Sequence, residues 1–226
     1  MLFGEAEVKA NIRNRDGKRV FYLGKGHQLT SGARDFLSRE RIPILPAEQA
    51  KQEKYRLLGG GFCQEKPEHM THLNAQVLVR KTHPRILFRG KMDLLEAEIM
   101  LCQLAVPSKK GLLEEILGFA RRILRCDVLE EPFSVDRLCG LTEDELRQRS
   151  HRPQDYYNQP HFMPGAEDGM AIARLNRARC AAREAELKAV AAFTDRDGLP
   201  TRTDILRALN RMSSMIYILM VQIKGK

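Results

Sequence analysis

From about residue 70 onward the apolar positions recur every three or four residues, the period of a helix with one buried face. Leu94, Ala97, Leu101 and Leu104 form one stripe, and Leu113, Ile116, Leu117, Ala120 and Leu124 form the next, with Pro107-Ser108 between them. Asp127 to Gly165 has no clean period and carries Pro132, Pro153, Pro160 and Pro164, so it reads as irregular. A long helix is predicted from about Glu167 to Phe193. Its stripe of Ile172, Leu175, Ala178, Ala182, Ala185 and Ala189 is mostly small, which permits close helix–helix approach. A last helix, about Thr203 to Gln222, carries Leu206, Leu209, Met212, Ile216 and Leu219 on one face. The pattern predicts a mainly α protein built as a helical bundle.

The first fifty residues read differently. Glu7 to Ile12 alternates in polarity, Asp16-Gly17 offers a turn and Val20 to Leu23 is strand-like. Thr30 can cap a short helix through Ala33, Phe36 and Leu37, after which Ile42 to Leu45 is extended. This is a small α/β unit. Gly59-Gly60-Gly61 reads as a flexible link, which separates an accessory module of residues 1–58 from a bundle domain of residues 59–226.

Composition narrows the class. Trp is absent and aromatics are 6%, so the core is aliphatic and favours helices over a β-sandwich. The net charge of +9 implies an anionic partner (nucleic acid, acidic lipid or nucleotide phosphate) or else a merely soluble basic surface. Five cysteines, an odd number without CxxC spacing, suit a reduced chain that uses them as small hydrophobes. Met1 to Glu7 lacks the basic and apolar regions of a secretion signal, and the most apolar stretch, Met215 to Ile223, is too short to span a bilayer. A cytoplasmic chain without membrane contact is expected.

Three constellations can carry chemistry. Arg179, Arg183 and Glu186, at i, i+4 and i+7, share one helical face, with Arg174 and Arg177 within the same turns. Arginines so spaced repel mildly, and an anion or a carboxylate from another element would relieve them; a solvated charged face is the competing interpretation. Asn210, in Arg207-Ala-Leu-Asn210-Arg211-Met-Ser213, is a poor mid-helix residue, present either for a specific hydrogen bond or simply tolerated at the surface. Thr71 through Arg85 joins a hydroxyl-bearing loop to the basic cluster Arg80, Lys81, His83 and Arg85, a weak phosphate signal without any Walker or GxGxxG pattern. Asp93 lies in the first turns of the helix that follows, a placement the helix dipole alone would favour. His69 and His72 lie near Cys63, yet no HExxH, CxxC or Glu-x-x-His element supports them, so no structural metal is expected.

Together these stretches resemble the corrinoid adenosyltransferases. Thr71 to Glu96 is similar, without a gap, to the family's run from phosphate loop into first bundle helix. Arg179-x-x-x-Arg183-x-x-Glu186 resembles the signature helix, and Leu209-Asn210-Arg211-Met212-Ser213 the Leu-Asn-Arg-Leu-Ser motif. His27 to Leu37, Leu141 to His151 and Asp204 to Tyr217 look like the ethanolamine-utilization branch in particular. The resemblance covers essentially the whole chain. It implies a five-helix bundle that assembles into a homo-oligomer, trimer ahead of dimer, with Mg-ATP bound between subunits. Arg183, Arg179 and Asp93 would form the catalytic set, Arg179 pairing with Asp93 of a neighbouring subunit. Thr71 and Lys81 would hold the triphosphate with Mg²⁺, and Arg179, Arg183, Glu186 and Asn210 would complete the nucleotide contacts.

Two departures stand out. The propanediol-utilization branch has a glycine-rich loop before the matching Thr, whereas this chain has Lys66-Pro67-Glu68-His69-Met70, with Lys66 as the candidate replacement grip. Some members of the ethanolamine branch carry a histidine and a Cys-Cys-x-x-Cys metal cluster, of which only Cys63 remains. The reaction implied starts from cob(II)alamin, which resists reduction while its lower ligand is attached. An apolar pocket that removes the ligand makes Co(I) accessible, with electrons from a flavin-type reductase, and Co(I) displaces triphosphate from C5′ of ATP. Pro132-Phe133 and His161-Phe162-Met163 interrupt the irregular segment with apolar groups, so Phe133 and Phe162 are the candidate corrinoid contacts. The composition also admits a nucleic-acid-binding regulator, although the N-terminal helix, with Arg34, Asp35, Arg39 and Glu40, has no clean basic face. A non-catalytic interaction protein of a bacterial microcompartment is the third alternative, and intact Arg179, Arg183, Glu186 and Asn210 argue against it.

Overall fold

The structure, a computed structural model, describes residues 2–15, 17–50, 55–134 and 136–225. It divides into two compact units, Met1–Lys81 and Thr82–Lys226.

The N-terminal unit contains β1 (Leu2–Phe3), α1 (Glu5–Asn11), β2 (Arg13–Arg15), β3 (Lys18–Leu23), β4 (Gln28–Leu29), α2 (Ser31–Arg39), β5 (Ile44–Pro46), α3 (Ala47–Ala50), β6 (Tyr55–Leu57), β7 (Phe62–Cys63), β8 (Met70–His72) and β9 (Val77–Arg80). The strands pair as β1-β4, β2-β3-β5 and β7-β6-β9-β8. Val8, Phe21, Leu29, Ala33, Phe36, Leu37 and Ile42 make its core. Thr30 caps α2 as expected, its hydroxyl accepting from the Ala33 amide at 3.3 Å. The alternating run Glu7 to Ile12 is helical instead of strand-like, because α1 has only Val8 to bury and its other side chains face outward. Asp16 of the expected turn lies outside the described residues. Gly59-Gly60-Gly61 is the tight turn of the β6–β7 hairpin, with Gly60 and Gly61 at φ +94° and +86°, a region that glycine occupies without strain. Leu57 N–H donates across this turn to the Gly61 carbonyl at 3.0 Å. Because β6 pairs in parallel with β9, the compact unit continues past residue 58 to Lys81.

The second unit is all helix and connection: α4 (Pro84–Ala105), α5 (Lys110–Leu129), α6 (Glu143–His151), α7 (Pro153–Tyr157), α8 (Gly169–Ala192) and α9 (Thr203–Lys224). Its five bundle helices are four long ones and α6. Ile172, Leu175, Ala178, Ala182, Ala185 and Ala189 are all buried, and α8 packs against α4 on one side and α9 on the other. The segment read as irregular contains α6 and α7. Thr142 and Glu145 form a reciprocal capping box at the start of α6, the Thr142 hydroxyl accepting from the Glu145 amide and the Glu145 carboxylate from the Thr142 amide.

The expected stripe of α4 is not its buried one. Ala97, Leu101 and Leu104 are exposed, Leu104 to 78%, whereas Phe88, Met92, Leu95, Ile99 and Cys102 are fully buried. Both sets recur at helical spacing, so periodicity cannot rank them, and α4 emerges with two apolar faces. Among the described residues, no helix is long and apolar enough to cross a membrane.

Asp127, fully buried near the end of α5, ties α5 to the start of α4. Its two carboxylate oxygens accept from Arg85 Nε at 2.8 Å and Arg89 Nε at 2.6 Å, and its carbonyl accepts from Arg85 Nη2 at 2.6 Å. Removing the carboxylate takes an ion pair from each of two largely buried arginines, of which Arg85 keeps the exposed Glu130, at 2.9 Å, as a carboxylate partner. Asp127→Ala should therefore lower unfolding stability by about 3–5 kcal/mol, read as the shift in a urea transition; a shift under about 1 kcal/mol would mean that the arginines find other partners. Burial, with Glu98 adding, pushes the Cys102 thiol up to about 12, and burial with Glu115 does the same for Cys139. Cys180 is exposed. A thiol reagent at mildly alkaline pH should therefore modify Cys180 first and spare Cys102 until the chain unfolds; uniform rapid labelling would contradict this packing.

Candidate active site

An open groove of about 980 Å³ runs along the bundle unit between α8, α9 and the segment before α8. Arg179, Arg183, Glu186, Leu187 and Val190 line it from α8, and Asn210, Ser213, Ser214 and Tyr217 from α9. Ser150 and His151 of α6 and residues 161–164 close its end.

The two arginines are left to the groove. Among the described residues Arg179 donates from Nε and Nη2 only to the Asn176 side-chain oxygen, at 3.1 and 2.9 Å. Arg183 is exposed, and among the described residues no ion pair or side-chain hydrogen bond engages it. On the α4 side of the same helix the charges are matched: Arg177 meets Glu98 at 3.0 Å and Glu184 meets Lys91 at 2.7 Å. Arg179 and Arg183 are the α8 cations that line the groove.

Asn210 has the specific task its mid-helix position suggested. Its Nδ2 donates to Glu186 Oε1 at 3.1 Å, and its side-chain oxygen accepts from Arg211 Nη2. An amide whose oxygen is held by a cation must turn its N–H groups the other way, so Arg211 sets the Asn210 rotamer and, through it, the Glu186 carboxylate. Arg211 itself is part-buried. Burial draws it below the ordinary arginine value, and its Nε has no partner among the described residues.

A second, smaller cavity of about 210 Å³ adjoins Arg211, with Phe119, Phe133, Leu138, Leu141 and Leu146 as its floor. Phe133 belongs here: its ring sits edge-on to Phe119 at 5.1 Å and its amide donates to Asp204 at 2.8 Å. Phe162 lines the large groove, so the two aromatic residues singled out together in the sequence serve separate cavities. Asp93 is exposed on α4 and forms no ion pair with Arg179 within the chain.

Thr71, Lys81 and Lys66 lie in the N-terminal unit. Thr71 sits on β8 opposite Val79, and the Lys81 amide donates to the His69 carbonyl at 2.9 Å, which puts the Thr71 and Lys81 side chains on one face of the hairpin. The Lys81 ammonium is 3.0 Å from Glu68. The hydrogen bond from Lys81, with its charge and that of Lys66, holds the Glu68 carboxyl below the usual range. Among the described residues no three His, Cys, Asp or Glu side chains converge as metal ligands.

A family model for cobalamin adenosyltransferase matches residues 62–223. The chain belongs to the cobalamin adenosyltransferase family. It is also 32% identical over 242 aligned positions to the corrinoid adenosyltransferase EutT of Salmonella typhimurium and 35% identical to that of Escherichia coli. Each alignment covers 96% of this chain and 90% of the relative. Within this adenosyltransferase fold, sequence reasoning found Arg179, Arg183, Glu186 and Asn210 on one groove but missed the parts that orient them. Arg211 was visible only as a motif letter. His161 and Tyr217 carry no local signal beyond the spacing of Tyr217, seven residues after Asn210 and so on the same helical face.

The unmatched cations generate a direct test. Inorganic triphosphate should bind the protein, and Arg183→Ala should weaken it by about tenfold or more, the worth of one charge-assisted contact, as measured by calorimetry at fixed ionic strength. Equal affinity for both proteins would place the anion elsewhere.

Proposed function

We propose that this protein transfers the 5′-deoxyadenosyl group of ATP to the cobalt of a corrinoid, yielding adenosylcobalamin and triphosphate. The observation that carries it is the large groove, where two arginines without carboxylate partners face an oriented Asn210–Glu186 pair beside an aromatic wall. Family membership and the likeness to two corrinoid adenosyltransferases support the same conclusion. Its catalytic portion is residues 59–226, a choice supported by the family match from residue 62.

The chemistry is a nucleophilic displacement. The Co(I) electron pair attacks C5′, the C5′–O bond breaks, and the triphosphate leaves with that bond's electrons while cobalt becomes Co(III). No protein nucleophile is needed. Arg179 and Arg183 neutralise the charge that grows on the leaving oxygens, a role in which preorganised donors act most strongly. Asn210 offers its remaining N–H to the nucleotide and Glu186, held by Asn210, offers a carboxylate oxygen. Thr71 and Lys81 of the N-terminal unit are further triphosphate contacts by resemblance, and Lys66 is the candidate grip where the chain departs from the related glycine-rich loop, with Mg²⁺ accompanying ATP as part of the substrate. The corrinoid meets Phe162 in the groove, and Phe133, through its own cavity, is the second candidate contact; both supply the apolar surroundings that strip the lower ligand from cob(II)alamin before a flavin-type reductase delivers the electron.

The exposed apolar face of α4, with Ala97, Met100, Leu101 and Leu104 beside Asp93, supports a homo-oligomer, trimer ahead of dimer, in which Asp93 pairs with Arg179 across subunits. Ethanolamine catabolism in the cytoplasm, in association with a bacterial microcompartment, is the setting that the resemblance supports. No nucleic acid or membrane partner is part of this proposal.

Purified protein, chemically reduced cob(I)alamin and Mg-ATP under anaerobic conditions should produce the light-sensitive adenosylcobalamin spectrum. Arg183→Ala should reduce the rate by about a hundredfold or more, in the range for loss of one transition-state donor. A folded wild-type protein that converts nothing would overturn the proposal. The two cavities separate the corrinoid candidates: Phe162→Ala should abolish the four-coordinate Co(II) signal, and the same result in Phe133→Ala would extend the pocket to the second cavity. Retention of that signal in both variants would remove both residues from the corrinoid site.

A further inference from the structure

Residues 159–165 have neither helix nor strand, yet they carry the side chains that close the groove. Their principal side-chain tether is His161. Its Nδ1 lies 2.8 Å from the Tyr217 hydroxyl and its Nε2 lies 3.1 Å from the His151 carbonyl oxygen. A carbonyl oxygen only accepts, so Nε2 bears a proton, and Nδ1 is left to bond the Tyr217 hydroxyl, which can donate or accept.

Tyr217 does more than share this hydrogen bond. Its ring stacks on His161, with centroids 5.7 Å apart at 17°, and on Phe162, 6.3 Å apart at 24°. One α9 side chain thus holds two consecutive strap residues, by a hydrogen bond to the first and ring contact with both. The Lys224 ammonium, 5.6 Å from the Phe162 centroid, adds a second α9 contact on that ring. Met163, the next residue, is 92% exposed and contributes no anchorage.

We propose that Tyr217 and His161 are positioning residues: they latch the 159–165 strap onto α9 and fix the Phe162 ring at the groove. The functional half of this inference rests on the adenosyltransferase proposal, with Phe162 toward the corrinoid and the α8 arginines toward the nucleotide. The latch then governs corrinoid recognition and leaves ATP recognition alone.

Two variants test it. Tyr217→Phe deletes the hydroxyl and keeps the ring, while Tyr217→Leu deletes both. Hydrogen–deuterium exchange of the free protein should show faster exchange across residues 159–165 in Tyr217→Phe and faster still in Tyr217→Leu, with α8 and the rest of α9 unchanged. In steady-state assays Tyr217→Phe should raise KM for cob(I)alamin about five- to tenfold, the worth of one hydrogen bond, with KM for ATP within about twofold. In a Phe162→Ala background the Tyr217→Phe change should add nothing further, as coupled residues require. Wild-type exchange in both variants would overturn the latch. So would equal rises in the two KM values, or faster exchange throughout the bundle, either of which would mark a general packing role. A wild-type protein with no corrinoid conversion would defeat the parent proposal instead, and the exchange data would still decide whether the strap is latched.

Discussion

The bundle depends on how closely α8 can lie against its neighbours. Ala178, Ala182, Ala185 and Ala189 offer nothing beyond Cβ to the contacts with α4 and α9, so the helix backbones approach further than leucine would allow. With the buried stripe so narrow, residues on its two flanks are aimed at once. Arg177 and Glu184 meet opposite charges on α4, while Arg179, Arg183 and Glu186 are turned toward α9 and the groove. A bulkier stripe would push α9 outward and separate Asn210 from Glu186.

This arrangement places local cost where a ligand can offset it. Arginines one turn apart repel, and a part-buried Arg211 without a carboxylate of its own is unfavourable in an empty protein. A polyanion reverses the first term, and the Asn210 amide gives the second cation a partner. The basicity of the whole chain is a different matter. Residues 1–81 hold fifteen Lys and Arg against nine Asp and Glu, which is most of the surplus, so overall net charge pointed toward an anion without locating its site.

Much of this was legible in the chain. The α8 stripe names the buried residues almost one for one, and Thr30 marks the start of α2, because helix period and capping are local properties. The α9 stripe catches Leu209, Met212, Ile216 and Leu219 but not Ile205, Ala208, Met215, Ile218, Met220 or Val221, which are buried as well. The α4 face was not legible, since two apolar stripes compete on one helix and only tertiary packing chooses between them. The capping box at Thr142 and Glu145 is a local signal that the surrounding prolines obscured. The Tyr217–His161 contact spans 56 residues, and nothing in the neighbourhood of either residue announces the other. Phe133 and Phe162, neighbours in an apparently formless segment, part company because α6 and α7 intervene between them.

The Arg85–Asp127–Arg89 cluster also bears on how the molecule responds to warming. Hydration of charged groups becomes less favourable as temperature rises, so the penalty for keeping these three side chains dry declines while hydrophobic stabilisation levels off. The junction of α4 and α5 therefore gains in relative strength on heating. Melting should begin in segments held by thin apolar contact, leaving this junction among the last parts of the bundle to separate.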